Sequence, residues 1–463
     1  MSSIWLPHLG GHDGPIYRAI ADAIGAAVAD GTLRPGQRLP THRALSEALG
    51  LDLTTVTRAY AEARQRGLLD ATVGRGTFIR GAAMPRAEAA EGPVDLGMNL
   101  PPIPADPSLP DLLQRGVARL LAGPEAAGVL TYRTGAGSGP EKAAGAAWLA
   151  PTLGAVAPER VLLSPGAQPA LAAVLGALAA RGDVVLTDAL TYPGLRAAAA
   201  HLGLRLHAIA GDAEGMLPAA LDEACRDHAP KAVYLVPTMH NPTAITMPMA
   251  RREAIAAVAL RRGLPIIEDD AYGLLPSHSI PAVSSFAPAL GFHIATLSKV
   301  LSPALRLAWI VVPDARWAAT LTAALRASVL MASPLAAGVV MGWVGDGTAA
   351  AIVGAIRREC AARQRLAREI LPGAAISAHP EGIHVWLALP PHWDRLHFAT
   401  QLRRQGLAVV PSDAFAVDAA VPPPGAVRLS LGAASSRASL RAALRAVAET
   451  LSIEPGTAFA GIV

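Results

Sequence analysis

The chain has 463 residues, 40 of them lysine or arginine and 36 aspartate or glutamate, for a formal net charge of +4. That length predicts several domains with sizeable cores, and so small a net charge gives by itself no sign of a nucleic-acid partner. With 52% hydrophobic but only 4% aromatic residues, packing should rest on Ala, Leu and Val in a helix-rich α/β architecture. Two cysteines, Cys225 and Cys360, stand far apart and outside any CxxC pattern, which excludes a disulfide framework or zinc site and fits a reducing cytosol.

The amino terminus lacks the basic stretch and apolar run of a secretory signal. Of the rest, Ala327 to Gly345 comes nearest to membrane-spanning length without a charge, but Ser328, Ser333, Pro334 and several glycines interrupt it, so a buried helix is expected. The reading is a soluble, cytoplasmic protein with no membrane partner and no metal site.

The first eighty residues form a unit of their own. Ile16, Ile20, Ile24 and Val28 recur at helical spacing and Gly31 closes that helix. Thr41 is the expected N-cap of HRALSEALG, with Gly50 as its stop. Thr54 and Thr55 open a third helix whose Val56, Tyr60 and Ala63 share one face, and LLDATVGRGTFIR reads as a hairpin turning near Gly74 to Gly76. Short helices joined by a tight linker and followed by such a hairpin make a winged helix-turn-helix. Thr54, Thr55, Thr57 and Arg58 can then face the major groove of a double-stranded DNA operator, while Arg43 and the wing-tip Arg75 reach phosphate or the minor groove. DGTLRPGQRLPTHRALSEALG, TTVTRAYAEARQRGLL and GRGTFI together resemble the GntR family of transcriptional regulators over residues 14 to 80.

Residues 81 to 95 are rich in Ala, Pro, Gly and Glu without apolar period and read as a linker. From 96 to 463, apolar strands alternate with Ala-rich helices, which predicts a mostly parallel sheet covered on both faces. The large part is expected at about 130–330, and a smaller α+β part at about 345–463 together with 96–129. Helices are expected at Pro169–Ala180, near Gly194–Leu202 and at Arg251–Arg262. The pairs Arg251, Arg252 and Arg261, Arg262 read as solvated helix faces. His201, His207 and His228 show no metal spacing, and His240 is at most a pocket lining.

Lys299 is one of only three lysines and sits in TLSKVLSPALR. An amine among hydroxyls, with Arg306 seven residues on, supplies what a pyridoxal phosphate site requires: a Schiff-base nitrogen and groups to hold phosphate. In SPGAQPAL a glycine turn opens a helix after a strand, so the amides of Ala167 and Gln168 can cradle phosphate. HNPT presents Asn241, and IIEDDAYG presents Asp269 and Tyr272. Taken singly, each string is equally ordinary as a turn or a strand-to-helix loop.

Taken in order and spacing, the strings resemble the fold type I aminotransferases from about Leu96 to the end. The resemblance implies that Lys299 is the Schiff-base lysine and proton shuttle, that Asp269 pairs with the pyridine nitrogen, and that Asn241 and Tyr272 serve the ring's phenolic oxygen. It further implies that Tyr192 stacks on the ring, that Ala167, Gln168, Thr296, Ser298 and Arg306 hold phosphate, and that Tyr132 reaches a neighbouring subunit's phosphate. Arg428 in VRLSLG matches the arginine that grips a substrate α-carboxylate. A winged helix placed before such a domain resembles the MocR branch of GntR regulators. That implies a pyridoxal phosphate-binding homodimer on DNA that senses the cofactor or an amino acid or amine effector; an active aminotransferase with an accessory DNA-binding domain is the alternative. Two departures from the usual pattern stand out: Glu141 and Lys142 replace Leu-Arg, and Ala244 replaces the glycine after NPT.

Overall fold

The computed structural model describes residues 5–7, 15–33, 37–66, 68–72, 76–79, 94–124, 126–133 and 135–453. The chain divides into two compact units, Met1–Gly92 and Pro93–Val463.

In the first unit, helices α1 (Ile16–Ala29), α2 (His42–Leu49) and α3 (Leu53–Gln65) bury Ile20, Ile24, Leu45, Val56 and Tyr60 in one core. Burying each large apolar side chain contributes roughly 1.5–3 kcal/mol. Thr41 Oγ1 caps α2 by accepting from the Ala44 amide at 3.2 Å, and Gly50 ends it at φ +65°, a conformation that favours glycine. The third helix begins one residue before the expected threonines. Asp52 is its cap, accepting from the Thr54 amide at 2.7 Å, because a carboxylate competes well for the free amides of a first turn. Arg66 ties α3 to α1 through Asp22 and also bonds Glu62 at 2.8 Å. Strands Leu69–Thr72 and Gly76–Ile79 pair antiparallel, and the Leu39 amide donates to Thr77 O at 2.9 Å. Arg75 and the turn around it lie outside the described residues.

In the second unit the main sheet has seven strands, β1 (Val161–Ser164), β2 (Val184–Asp188), β3 (Arg205–Ile209), β4 (Ala232–Leu235), β5 (Ile266–Asp270), β6 (Gly291–Thr296) and β7 (Ala308–Val311). They lie in the order β1-β7-β6-β5-β4-β2-β3. Only β7 runs against the others. Strands β1, β2, β4 and β7 are mostly apolar and buried, as a sheet covered on both faces requires. A smaller sheet contains His384–Ala388 and Ala426–Ser430, paired antiparallel, and Val94–Asp95 adds a short parallel pairing to Leu407–Ala408.

Several expectations need correction. The helix expected from Pro169 runs Ala167–Leu178, so Ala167 and Gln168 form its first turn. The uncharged run Ala327–Gly345 is not one helix: a helix ends at Val329, Leu330 takes φ +65°, and another begins at Pro334 behind its Ser333 cap. Among the described residues, no single helix is long and apolar enough to cross a membrane. Arg252 is not on a solvated face. It is buried, donating to the carbonyls of Met247 at 2.9 Å and Pro237 and Pro281 at 3.1 Å, and to Thr238 Oγ1 at 2.8 Å. A guanidinium with four of its five donors thus engaged can be buried, whereas Arg261 and Arg262 stay exposed and pair with Asp222.

The two departures also acquire physical roles. Glu141 is buried and completes a capping box by accepting from the Ser138 amide at 2.6 Å, and it pairs with Arg133 at 2.9 Å. Ala244 sits at φ +60°, where its Cβ costs about 1–2 kcal/mol relative to glycine.

Candidate functional site

The site is assembled at the carboxyl ends of the parallel strands, where an open α/β sheet leaves a crevice. Alternation along β5 places Asp269 on one face and Glu268 with Asp270 on the other. Asp269 is buried and accepts a hydrogen bond from Tyr234 at 2.7 Å. Burial pushes its carboxyl up to about 6, with the Tyr234 bond opposing that rise. On the opposite face His293, in register with Glu268 on β6, lies 3.5 Å from Glu268 and 3.4 Å from Asp270. Burial disfavours its charge, but the two carboxylates overcome this and hold its pKa above the usual histidine range. Asp270 also accepts the Tyr272 amide at 3.3 Å, fixing the loop that carries Tyr272.

Lys299 follows β6 in a tight turn. Its Nζ donates to the backbone oxygen of Asn99, whose Nδ2 in turn donates to Tyr272 Oη at 2.8 Å. Burial pushes the Lys299 amine down to about 8, Arg428 adds to the effect, and Asp269 opposes it. Burial also raises the Tyr272 phenol. Arg428 lies in the strand Ala426–Ser430 with its guanidinium buried. It donates to Asn241 Oδ1 at 2.7 Å and to Gly97 O, its carbon is 5.1 Å from the centre of the Phe415 ring, and its Nε has no hydrogen-bond partner among the described residues. Tyr192 is half-buried and feels the charges of Asp269, Arg306 and Arg428, so these groups form one electrostatic cluster.

The phosphate-holding candidates also converge. Gly166 precedes the helix Ala167–Leu178 at φ +102°, and no side chain caps that helix. A Cβ at Gly166 would lie 3.0 Å from Arg306 Nη2. Arg306 itself adopts φ +49°, a strained conformation for a residue with a side chain and one that clusters at functional sites. Thr296 Oγ1 bonds Ser298 Oγ at 3.1 Å. Gln168 Nε2 donates to Gly194 O at 2.8 Å, while its buried Oε1 has no hydrogen-bond partner among the described residues. Pyridoxal phosphate fits this donor set: uncapped helix amides beside a guanidinium suit a phosphate dianion, and a buried carboxylate opposite a buried amine suits a pyridinium ring carrying an aldehyde.

Lys299, Asp269, Tyr272, Asn241, Tyr192, Arg306 and Arg428 are thus brought together. Tyr132 is not: its side chain is 81% exposed beside Arg133 and Met331. Sequence reasoning missed Asn99, Tyr234, Phe415 and His384, whose Nε2 lies 3.1 Å from His240 O. The visible signal was a polar residue inside an otherwise apolar buried stretch, as in GMNLPP and AVYLVP.

In the first unit, Thr54, Thr57 and Arg58 are exposed on α3 and Thr55 is half-buried. Arg58 stands over the Tyr17 ring at 4.6 Å from its centre. Arg43 is exposed and 3.5 Å from Glu47.

Comparisons with known proteins address both units. The family "Bacterial regulatory proteins, gntR family" matches residues 16–79, and "Aminotransferase class I and II" matches residues 122–447. The HTH-type transcriptional regulator YdeF of Bacillus subtilis is 30% identical over 432 residues, covering 92% of each chain. The vitamin B6 salvage pathway transcriptional repressor PtsJ of Salmonella typhimurium is 30% identical over 88% of this chain and 93% of its own. Among solved structures, the α-aminoadipate aminotransferase LysN of Thermus thermophilus, complexed with N-(5'-phosphopyridoxyl)-L-leucine, superposes with TM-score 0.70 at 25% identity, covering 85% of this chain and 98% of its own. With a regulator matched along nearly its whole length and both units matched by family, the chain belongs to the MocR branch of the GntR regulators, a winged helix-turn-helix joined to a fold type I aminotransferase-like domain.

Proposed function

We propose that this chain is a DNA-binding regulator that holds pyridoxal phosphate on Lys299 and converts the arrival of an amino compound beside Arg428 into a change of operator occupancy. The observation that carries the reading is the half-buried Lys299 amine, shifted to about 8, in one cluster with Asp269 and Arg428, in a chain that also carries a DNA-reading unit. Bound pyridoxal phosphate supplies an aldehyde that condenses with amines and a ring that draws electrons away from them.

The chain's own residues do the rest. Ala167 and Gln168 amides, Thr296, Ser298 and Arg306 would hold phosphate, Asp269 would supply the negative charge for the ring nitrogen, Asn241 and Tyr272 would serve the phenolic oxygen, and Tyr192 would pack against the ring. Arg428 grips an effector carboxylate by exchanging its Gly97 carbonyl partner for a charged one, a stronger bond. A free Lys299 amine would keep a neutral fraction near pH 7–8 and could take up a proton. Thr54, Thr55, Thr57 and Arg58 read bases, with Arg43 and Arg75 on the backbone. The high exposure of Tyr132 supports its contact with a second copy of the chain in a homodimer, which also suits two operator half-sites. The limits 1–80, 81–95 and 96–463 serve as working domain boundaries, with Val94 and Asp95 moved from the linker into the second unit because they pair with Leu407–Ala408.

Borohydride reduction of the loaded protein, followed by peptide mapping, should place the tag on Lys299; a tag elsewhere, or none, overturns the reading. Amino acid titration should then shift the chromophore and DNA affinity together. A second reading, a working aminotransferase, draws support from the simultaneous presence of a proton-accepting lysine, Asp269 and Arg428. Repeated conversion of amino acid to keto acid at about 1 per second or faster would favour it.

A further inference from the structure

A second cavity, of about 170 Å³, lies beside the lysine cluster and shares none of the residues assigned to the cofactor. It opens at the carboxyl ends of β2, β3 and β4. Its walls include Leu190, Ile209, Leu235, Ile245 and Met247, and four polar side chains line it: Thr243, Asp212, which is paired with Arg251, and Asp188 and His240.

The last two groups do not satisfy each other. Asp188 Oδ2 and His240 Nε2 are 3.7 Å apart, beyond hydrogen-bond reach. His240 is more than nine-tenths buried, its Nδ1 meets Thr243 Oγ1 at 2.8 Å, and its Nε2 has no hydrogen-bond partner among the described residues. Asp188 keeps 19% of its side chain exposed and pairs with no lysine or arginine among those residues. Burial pushes its carboxyl up to about 7 and the His240 ring down to about 4, so the ring is neutral. Asp188 offers acceptors toward the cavity, and His240 Nε2 offers one in the tautomer whose Nδ1–H donates to Thr243 Oγ1. Buried acceptors of this kind call for a donor, and a cation placed among these apolar walls would hold the Asp188 carboxyl in its ionised form.

An ammonium supplies both, with three donors on one charge, and the walls suit a hydrocarbon body. At about 30 Å³ per water-sized group, the cavity admits roughly six heavy atoms. Its lining among the described residues carries no lysine or arginine, and Arg251, which pairs with the lining residue Asp212 at 2.9 Å, is also held by Glu214 at 3.0 Å. We propose that this cavity is a second ligand site, for a short primary alkylamine without a carboxylate, whose ammonium bonds Asp188 and His240 Nε2 while its chain lies on Ile209, Leu235 and Met247. The site is separate from the Lys299 cluster yet continuous with it along the chain, since Asp188 precedes Tyr192 by four residues and His240 immediately precedes Asn241.

The test is calorimetric titration of the full-length, cofactor-loaded chain with n-butylamine, with the chromophore recorded in parallel because Lys299 also meets amines. Saturable one-site binding that leaves the chromophore unchanged is expected. Asp188→Asn should weaken it at least tenfold, and so should Ile245→Phe, which fills the cavity but keeps Asp188 and His240. n-Butanol, of similar shape without charge, should bind at least tenfold more weakly. Absence of saturable heat, binding that follows the chromophore, binding unaltered by Ile245→Phe, or equal binding of the alcohol would each overturn the proposal.

Discussion

Lys299→Met in the cofactor-free chain should increase stability at pH 7 even though it removes the residue on which function depends. The amine's fall from 10.5 to about 8 corresponds to about 3 kcal/mol at 1.36 kcal/mol per tenfold. Partial exposure of the residue screens this to about 2 kcal/mol. Methionine keeps the length and apolar body but forfeits the bond to Asn99 O, a loss of about 1 kcal/mol. The net expectation is a gain of about 1 kcal/mol at pH 7. Because the folded pKa lies below the unfolded one, the unfolded chain binds more protons between about 8 and 10.5, and the native protein gains stability as pH rises through that window. The variant lacks that slope, so its advantage should shrink from pH 8 upward and reverse by pH 10.5. Urea unfolding followed by tryptophan fluorescence measures this, since six of the seven tryptophans lie in the second unit. A variant less stable at pH 7, with a difference flat in pH, would refute the placement of a desolvated amine at 299.

Gly166→Ala should weaken pyridoxal phosphate binding roughly tenfold by absorbance titration, because φ +102° is strained for alanine by about 1–2 kcal/mol and its Cβ crowds Arg306. Unchanged affinity would remove that turn from the phosphate site. Ala244→Gly should stabilise the second unit by about 0.5–1 kcal/mol in urea, the relief of φ +60° exceeding the greater freedom of unfolded glycine. In the first unit, Arg58→Ala should weaken operator binding by about 1–3 kcal/mol, and Arg43→Ala should reduce the salt dependence by about one phosphate contact. If neither moves DNA affinity, α3 is not the reading helix.

Local chemistry was legible wherever short-range rules decide the outcome. Thr41 and Gly50 bound α2 because a hydroxyl and a missing Cβ solve problems set within a few residues. The apolar, turn-bounded runs told of a mostly parallel sheet, and the resemblance to fold type I aminotransferases brought Lys299, Asp269, Asn241, Tyr272 and Arg428 onto one list. Long-range partners were not legible. Arg252 looked like half of a solvated pair because its four acceptors come from Pro237, Thr238, Met247 and Pro281, which only the fold collects. Asn99 is 200 residues from the lysine it holds, and Tyr234 is one strand away from Asp269. Asp52 was passed over for the nearby threonines, although both residue types cap helices and geometry chooses between them.

The regulator and the enzyme part company over reciprocity. If an amino acid at Arg428 alters operator affinity by some factor, operator DNA must alter amino acid affinity by the same factor, because both describe one coupling free energy. Couplings of this kind run at about 1–3 kcal/mol, or about 5–150-fold. The titration midpoint of the chromophore should therefore move by that factor when saturating operator DNA is added, in the direction set by whether the effector strengthens or weakens DNA binding. An aminotransferase with an accessory DNA-binding unit has no such requirement, and its midpoint would be the same with and without DNA. Arg428→Ala should abolish the shift while leaving DNA affinity without effector unchanged, since that residue faces Asn241 and Gly97 in the second unit and not the duplex. A midpoint shift that survives Arg428→Ala would mean that the effector's carboxylate is held elsewhere.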